Sequence, residues 1–364
     1  MKLKWFAAAC IICASLATGA ARADVTLTTS SDLKAKGVKV EDVHIVSFSP
    51  DGKTLIGYSH GTNEEVAQGK VFTLFAFDVN ANGKIGKVNS FPLNITSFEQ
   101  ACFTPDGKSV VIISKSGAEY LKQNIETGEQ TVIMNHEYGK PGFRAYPAIL
   151  QLSEGKMLAT GFFYDENDFS GTNCVAILDP DKTGAEAFTE AMNVEKIENS
   201  LKSTSEAYPR ADLGIIGTGK STSHTLYRWS PDQKTAEPFE KNIYLIGMWE
   251  SDKNVLYSVK RGEKQYELSV YDALANKKTV LDGSSTKPYM YVFLSADGKT
   301  AIANIENRET HRMNIYWARE GEGWELKPIK GLKNGISTGT IRVTPDGSRI
   351  VHQTQSGFRI IDVE

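Results

Sequence analysis

A short acidic turn recurs along this chain. The strings SFSPDGKTLIGYSHG from Ser47, CFTPDGKSVVIISKSG from Cys102, FLSADGKTAIANIE from Phe293 and RVTPDGSRIVHQTQSG from Arg342 share one plan. Each has a β-rich approach, a Pro/Ala-Asp-Gly turn and a second β-branched run. Pro presets φ, Asp bonds the backbone that follows it, and Gly takes a positive φ, which together make a hairpin turn. Degenerate copies lie between them: LSEGKMLATGFF from Leu152, YPRADLGIIGTG from Tyr208 and WESDKNVLYSV from Trp249.

The acidic markers are Asp51, Asp106, Glu154, Asp212, Asp252, Asp297 and Asp346, so the intervals run from 40 to 58 residues. Each interval holds two further strand-like runs, such as Val71 to Val79 and Lys84 to Phe91. A spacing near 49 residues suits one four-stranded antiparallel blade. The fold class expected is therefore all-β, a seven-bladed β-propeller; six or eight blades are the neighbouring counts. After Asp346 two strands remain, so the last blade has three. The early segment Val25 to Thr29 alternates like a strand and is expected to close that blade as its fourth. Two β-sandwich domains would need a linker, and no Pro/Gly/Ser-rich or charged boundary marks one. A helical turn or two is expected near Glu186 to Leu201.

Met1 to Lys4 carry two lysines, Trp5 to Leu16 form an apolar run, and Ala21-Arg22-Ala23 places small residues before Asp24. That layout reads as a secretory signal peptide at 1–23, with one propeller domain at 24–364. The run is too short for a transmembrane helix, which needs about 20 residues. The protein is expected to be periplasmic or secreted, and a monomer. Removing Lys2, Lys4 and Arg22 leaves 38 basic against 44 acidic side chains, no basis for holding nucleic acid. Cys102 and Cys174 then remain, as two thiols on strands or as one disulfide.

The Pro50-Asp51-Gly52-Lys53, Pro105-Asp106-Gly107-Lys108, Asp297-Gly298-Lys299 and Pro345-Asp346-Gly347 turns resemble those of TolB-type, WD-repeat-like propellers of exported bacterial proteins. The resemblance implies the architecture and gives the turns a structural role. Phe72 to Phe91 is similar to a blade of the seven-bladed lactonase family, which hydrolyses sugar lactones.

Other motifs carry little chemistry. Gly214 to Ser221 fits the phosphate-loop pattern, but HTLYRWS after it reads as a strand where phosphate binding needs a helix. Asp78 to Gly83 opens like a calcium loop, yet its twelfth position is Asn89 rather than Glu; Asp179, Asp181 and Gly184 make a similar partial pattern. Both read as hairpin turns. The six histidines are scattered, with no HExxH, and G-x-S-x-G is absent. No metal and no cofactor is expected.

The acidic turns should lie on one face of the ring, with the longer loops on the other around a channel mouth. Those loops are HGTNEEVAQGK from His60, NHEYGKPGFRAY from Asn135, YDENDFSGT from Tyr164, KRGEKQ from Lys260 and ENRETH from Glu306. His60, His136, Tyr138, Arg144, Tyr146, Tyr164, Asp165, Arg261, Arg308 and His311 are expected to converge there as binding residues, since Tyr and Arg anchor interfaces. The function expected is that of a non-catalytic binding module for a protein or an extracellular glycan. The other reading is a lactonase-like hydrolase using acidic and His residues at the same mouth.

Overall fold

The computed structural model describes residues 28–38, 43–61, 63–67, 69, 71–136, 142–153, 155–164, 172–193, 215–220, 223–228, 237–246, 254–272, 275–289, 292–306, 313–329, 341–354 and 357–363. The signal-peptide and export expectations rest on residues outside them.

Strands follow the repeat. The first unit is β1 (His44–Phe48), β2 (Thr54–His60), β3 (Phe72–Val79) and β4 (Ile85–Leu93); the second is β5 (Gln100–Phe103), β6 (Ser109–Ser114), β7 (Glu119–Asn124) and β8 (Gln130–Asn135). The third is β9 (Gly142–Ser153), β10 (Lys156–Tyr164), β11 (Thr172–Leu178) and β12 (Phe188–Asn193). Next come β13 (Ile215–Lys220), β14 (Ser223–Arg228), β15 (Glu237–Ile246), β16 (Asn254–Lys260), β17 (Tyr266–Asp272) and β18 (Lys277–Ser285). The chain ends with β19 (Val292–Leu294), β20 (Thr300–Glu306), β21 (Met313–Arg319), β22 (Lys327–Pro328), then β23 (Ile341–Val343), β24 (Arg349–Thr354) and β25 (Gly357–Asp362). Within each sheet the strands pair antiparallel in chain order.

Among the described residues there are six sheets, because units four and five share one of six strands. The reason is local. Asn242 takes a left-handed φ of 60°, a conformation Asn tolerates, and the ladders to β14 and β16 both slip beside it. One bulged strand thus ends unit four and begins unit five.

The acidic turn is more than Pro, Asp and Gly. In all four good copies a Ser or Thr two residues before Asp donates its hydroxyl to Asp Oδ1: Ser49 to Asp51 at 2.6 Å, Thr104 to Asp106 at 2.7 Å, Ser295 to Asp297 at 2.6 Å and Thr344 to Asp346 at 2.7 Å. The same Oδ1 accepts the amide two residues on, and the hydroxyl accepts the amide that opens the second strand. The turn glycines stand at φ between 67° and 71°. Thr104 and Ser109 are buried, so Thr104→Val leaves the Ser109 amide without its acceptor and takes one bond from the exposed Asp106 carboxylate. It is expected to cost about 1–2 kcal/mol, measured as a lowered thermal midpoint; an unchanged midpoint would deny the network its role.

The units pack face to face through apolar layers. Phe72, Leu74 and Leu93 of unit one meet Val110, Ile112 and Leu121 of unit two; Ile113 and Tyr120 of unit two meet Met157 and Ala176 of unit three. Leu256 and Leu268 of unit five meet Ala301 and Ala303 of unit six, and Ile302 and Trp317 of unit six meet Ile341 and Ile350 of unit seven. Val351 and Phe358 of unit seven share a core with Leu55, Phe75 and Phe77 of unit one. The first strands β9, β5, β1, β23 and β19 are successive neighbours.

The early segment takes part in this closure. Thr28 makes an antiparallel bridge to Phe358, with amide-to-carbonyl bonds of 2.8 and 3.0 Å. Of the expected closing strand, Val25, Thr26 and Leu27 lie outside the described residues. Past Thr28 the chain turns into helix α1 (Ser30–Ala35), which Thr29 and Asp32 cap reciprocally. Leu33 and Val38 of this segment cover the seam between units one and seven.

The expected helical turn near Glu186 takes the form of a 3-10 turn, Gly184–Ala187, followed by strand β12, and 194–201 lie outside the described residues. Here the alternation of FTEAMN outweighs the short helix-like spacing. The loop after His60 contains a short helix α2 (Asn63–Ala67).

Candidate functional site

Every second strand runs away from its acidic turn, so the ends of β2, β6, β10 and β16 mark the opposite rim. His60 stands at the end of β2, exposed, with its ring 4.7 Å from that of Phe72. His136 follows β8 and is buried, its amide bonded to the Ala118 carbonyl at 2.7 Å. Tyr164 is the last residue of β10, paired with Gly142. Arg144 and Tyr146, expected in a loop, lie inside strand β9, with Arg144 half-buried opposite Phe162. The strand also holds Pro147. It fits because β9 ends its sheet, leaving one side without a ladder, and because the register slips between Thr160 and Phe162. Tyr138, Asp165, Arg308 and His311 lie outside the described residues.

Arg261 follows β16 and is already engaged. It bonds Glu267 at 2.8 Å and 3.1 Å and Glu240 at 3.2 Å from two nitrogens; Lys278 reaches Glu240 at 2.7 Å and Glu267 at 2.6 Å. The bonds from Arg261 hold the Glu267 carboxyl down at about 2. Burial raises Glu240, but its bonds from Lys278 and Arg261 win and keep it below the usual carboxylate range. The Glu267 bond likewise raises Arg261. This is a clamp across β15, β17 and β18 of the shared six-stranded sheet, with its charges matched two against two.

Unit one carries the more available chemistry at this rim. His44, at the rim end of β1, stacks on Tyr58 at 5.2 Å; Tyr58 stacks on Phe98 at 3.9 Å with planes 13° apart; Phe72 closes the group at 6.2 and 6.4 Å. His44 and His60 are exposed, Tyr58 and Phe98 half-buried and Phe72 buried. Burial raises the Tyr58 hydroxyl, which stays protonated at neutral pH. Phe98 is placed by its loop: Ser97 Oγ accepts the Lys115 amide at 2.9 Å and the Glu99 amide bonds the Ile113 carbonyl at 3.0 Å. Sequence reasoning found His60 and missed His44, Tyr58 and Phe98. Their positions, 44, 58 and 98, are brought together only by strand register and an inter-unit loop.

The ion-loop motifs resolve as turns and the phosphate-like motif as a strand. Asn80 Oδ1 accepts the amides of Asn82 and Lys84 at 2.9 Å, closing the β3–β4 hairpin, and Asp179 Oδ1 accepts the Asp181 amide at 3.0 Å. Ile215–Lys220 is strand β13, paired with β14. Among the described residues no three His, Cys, Asp or Glu side chains gather as metal ligands. Cys102 lies half-buried on β5, and Cys174 lies on β11 opposite Gly161.

Buried in unit seven is His352, on β24 between Ile341 and Arg359. Burial, then the Arg359 charge, lowers its pKa below 6.5. The unfolded chain therefore binds the proton more tightly, and stability falls as pH drops below about 6.5 towards the folded value. Urea midpoints of wild type and His352→Leu are expected to diverge as pH falls from neutral, wild type losing up to about 1.4 kcal/mol per pH unit more. Parallel curves would refute this.

No protein-family model matches the chain, and no curated protein matches it in sequence. Solved structures do resemble it in shape. An oligogalacturonate lyase in complex with manganese is 10% identical over 88% of each chain, with a TM-score of 0.56. The β-propeller domain of Cps50 (Swd1) from Myceliophteria thermophila is 11% identical, over 89% of this chain and 98% of that one, at 0.50. TolB from Acinetobacter baumannii is 15% identical over 74% and 62%, at 0.42, a likeness on which nothing below rests. At such identities the likeness speaks of fold alone: this is an all-β chain of propeller type.

Proposed function

We propose that the chain is a seven-bladed propeller closed by its N-terminal strand, made with a signal peptide at 1–23 and exported to the periplasm or beyond. In this reading 24–364 form one domain. It works as a non-catalytic binding module whose ligand docks at the rim opposite the acidic turns, around the channel mouth. The observation that carries the reading is the part-exposed ladder His44–Tyr58–Phe98. Aromatic groups held rigid by stacking and strand register offer contact area at low entropic cost.

The hydrolase reading asks for a carboxylic acid kept protonated near neutrality, or a base poised there. Among the described residues the carboxyls with displaced acidity are Asp32, Asp51, Asp106, Glu240, Glu267 and Asp346, and all are displaced downwards.

The test is retention of ligand from extracytoplasmic extract on immobilised 24–364. Tyr58→Ala/Phe98→Ala, and separately the exposed pair His44→Ala/His60→Ala, are expected to lower retention about tenfold or more while still melting cooperatively. Equal retention by both folded variants would overturn the reading.

A further inference from the structure

Beside the aromatic ladder lies a polar pair that the fold leaves without a use. Ser114 and Glu119 face each other across the β6–β7 hairpin. Alternation along these strands turns them to the same side as Ile112 and Leu121, whose layer includes Phe72, Ile95 and Phe98 of unit one. They therefore cap that layer at its rim end. Ser114 is 0% and Glu119 6% exposed. Glu119 Oε1 accepts from Lys115 Nζ at 2.8 Å, while Glu119 Oε2 and Ser114 Oγ have no hydrogen-bond partner among the described residues. A buried, unsatisfied carboxylate oxygen and hydroxyl are costly, so their presence here asks for a reason.

Resting on the binding reading above, we propose that this rim site takes a neutral carbohydrate ring. The apolar C–H face of the sugar lies against the Tyr58–Phe98 ladder, and its hydroxyls donate to Glu119 Oε2 and exchange a hydrogen bond with Ser114 Oγ. The charge state decides against a cationic ligand: Lys115 already neutralises Glu119, so a second ammonium or guanidinium would be unmatched. An anionic sugar would be unmatched in the same way, since the Lys115 ammonium is already taken by Glu119. A neutral polyol satisfies both orphan atoms without adding charge.

Neither orphan atom meets solvent in this arrangement. Lys115 beside them is 38% exposed, so its flexible stem is the part that shifts to admit the ring while Nζ keeps its bond to Glu119 Oε1. Its backbone is held at φ 49°, a strained setting for a non-glycine residue and one that gathers at functional segments.

The experiment is calorimetric titration of 24–364 with neutral gluco-, manno-, xylo- and galacto-tetraoses and with a galacturonic tetramer as the anionic arm. At least one neutral tetraose is expected to saturate. Ser114→Ala is expected to weaken it about three- to tenfold, one lost hydrogen bond, and Glu119→Gln by at least as much. Ser114→Ala should also fold at least as stably as wild type, because it deletes an unsatisfied hydroxyl, so its loss of binding cannot be a folding defect. If no neutral tetraose binds, or the acidic one binds better, the carbohydrate assignment falls, and the rim reading is judged by its own retention test. If a tetraose or a retained protein binds Ser114→Ala and Glu119→Gln as well as wild type but is lost with Tyr58→Ala/Phe98→Ala, the rim reading stands and this inference is overturned.

Discussion

Phe358→Ala is expected to destabilise the fold by about 3–5 kcal/mol, the usual cost of emptying a buried phenylalanine site. Phe358 is 1% exposed and packs edge-on against Phe77 at 5.5 Å. It belongs to the core that joins the last unit to the first. Truncation therefore removes apolar contact where the two chain ends meet, a seam that no intervening sequence holds together. Chemical denaturation would read the loss as a lowered midpoint with an unchanged slope. A cost below about 1 kcal/mol would mean that the seam between units seven and one is not a packed core.

Gly357→Val acts on the same seam through the backbone. Gly357 sits at φ 138°, where a side chain is strained, and a β-carbon there would run into the Thr28 carbonyl. Strain and the two threatened bridge hydrogen bonds together suggest about 2–4 kcal/mol. The effect should be asymmetric. Protection of the Thr28 and Phe358 amides should vanish first, while β6 and β20 keep theirs. Uniform weakening of the whole fold would argue that the bridge has no separate role.

The architecture was legible where chemistry is local. Pro/Ala-Asp-Gly with its flanking strands declares itself within six residues, and the two adjacent pairs of good copies, 55 and 49 residues apart, give the unit length. The hydroxyl at Ser49, Thr104, Ser295 and Thr344 stood in the same strings, but its bond to Asp depends on turn geometry that spacing does not reveal. The shared strand β15 was hidden because its bend depends on one left-handed residue, Asn242. Helix α1 was hidden because it is six residues long, too short for periodicity to announce it.

The site was less legible. Loop membership pointed to His60 and to the rim, yet Arg144 and Tyr146 proved to be in a strand, and Arg261 to be held by Glu240 and Glu267. The ladder itself needs β1, β2 and the inter-unit loop at 94–99 to meet, a tertiary fact. Ser114 and Glu119 read as ordinary strand-end residues until their unmatched atoms are seen inside an apolar layer.

The central claim is that the chain ends are paired, making a closed ring of repeats. Amide hydrogen exchange at Phe358 measures this most directly, since that amide donates to the Thr28 carbonyl at 3.0 Å. The account predicts that it exchanges as slowly as the amides of β24, opening only with global unfolding. Exchange at the rate of an exposed amide, while β24 remains protected, would contradict the closed ring.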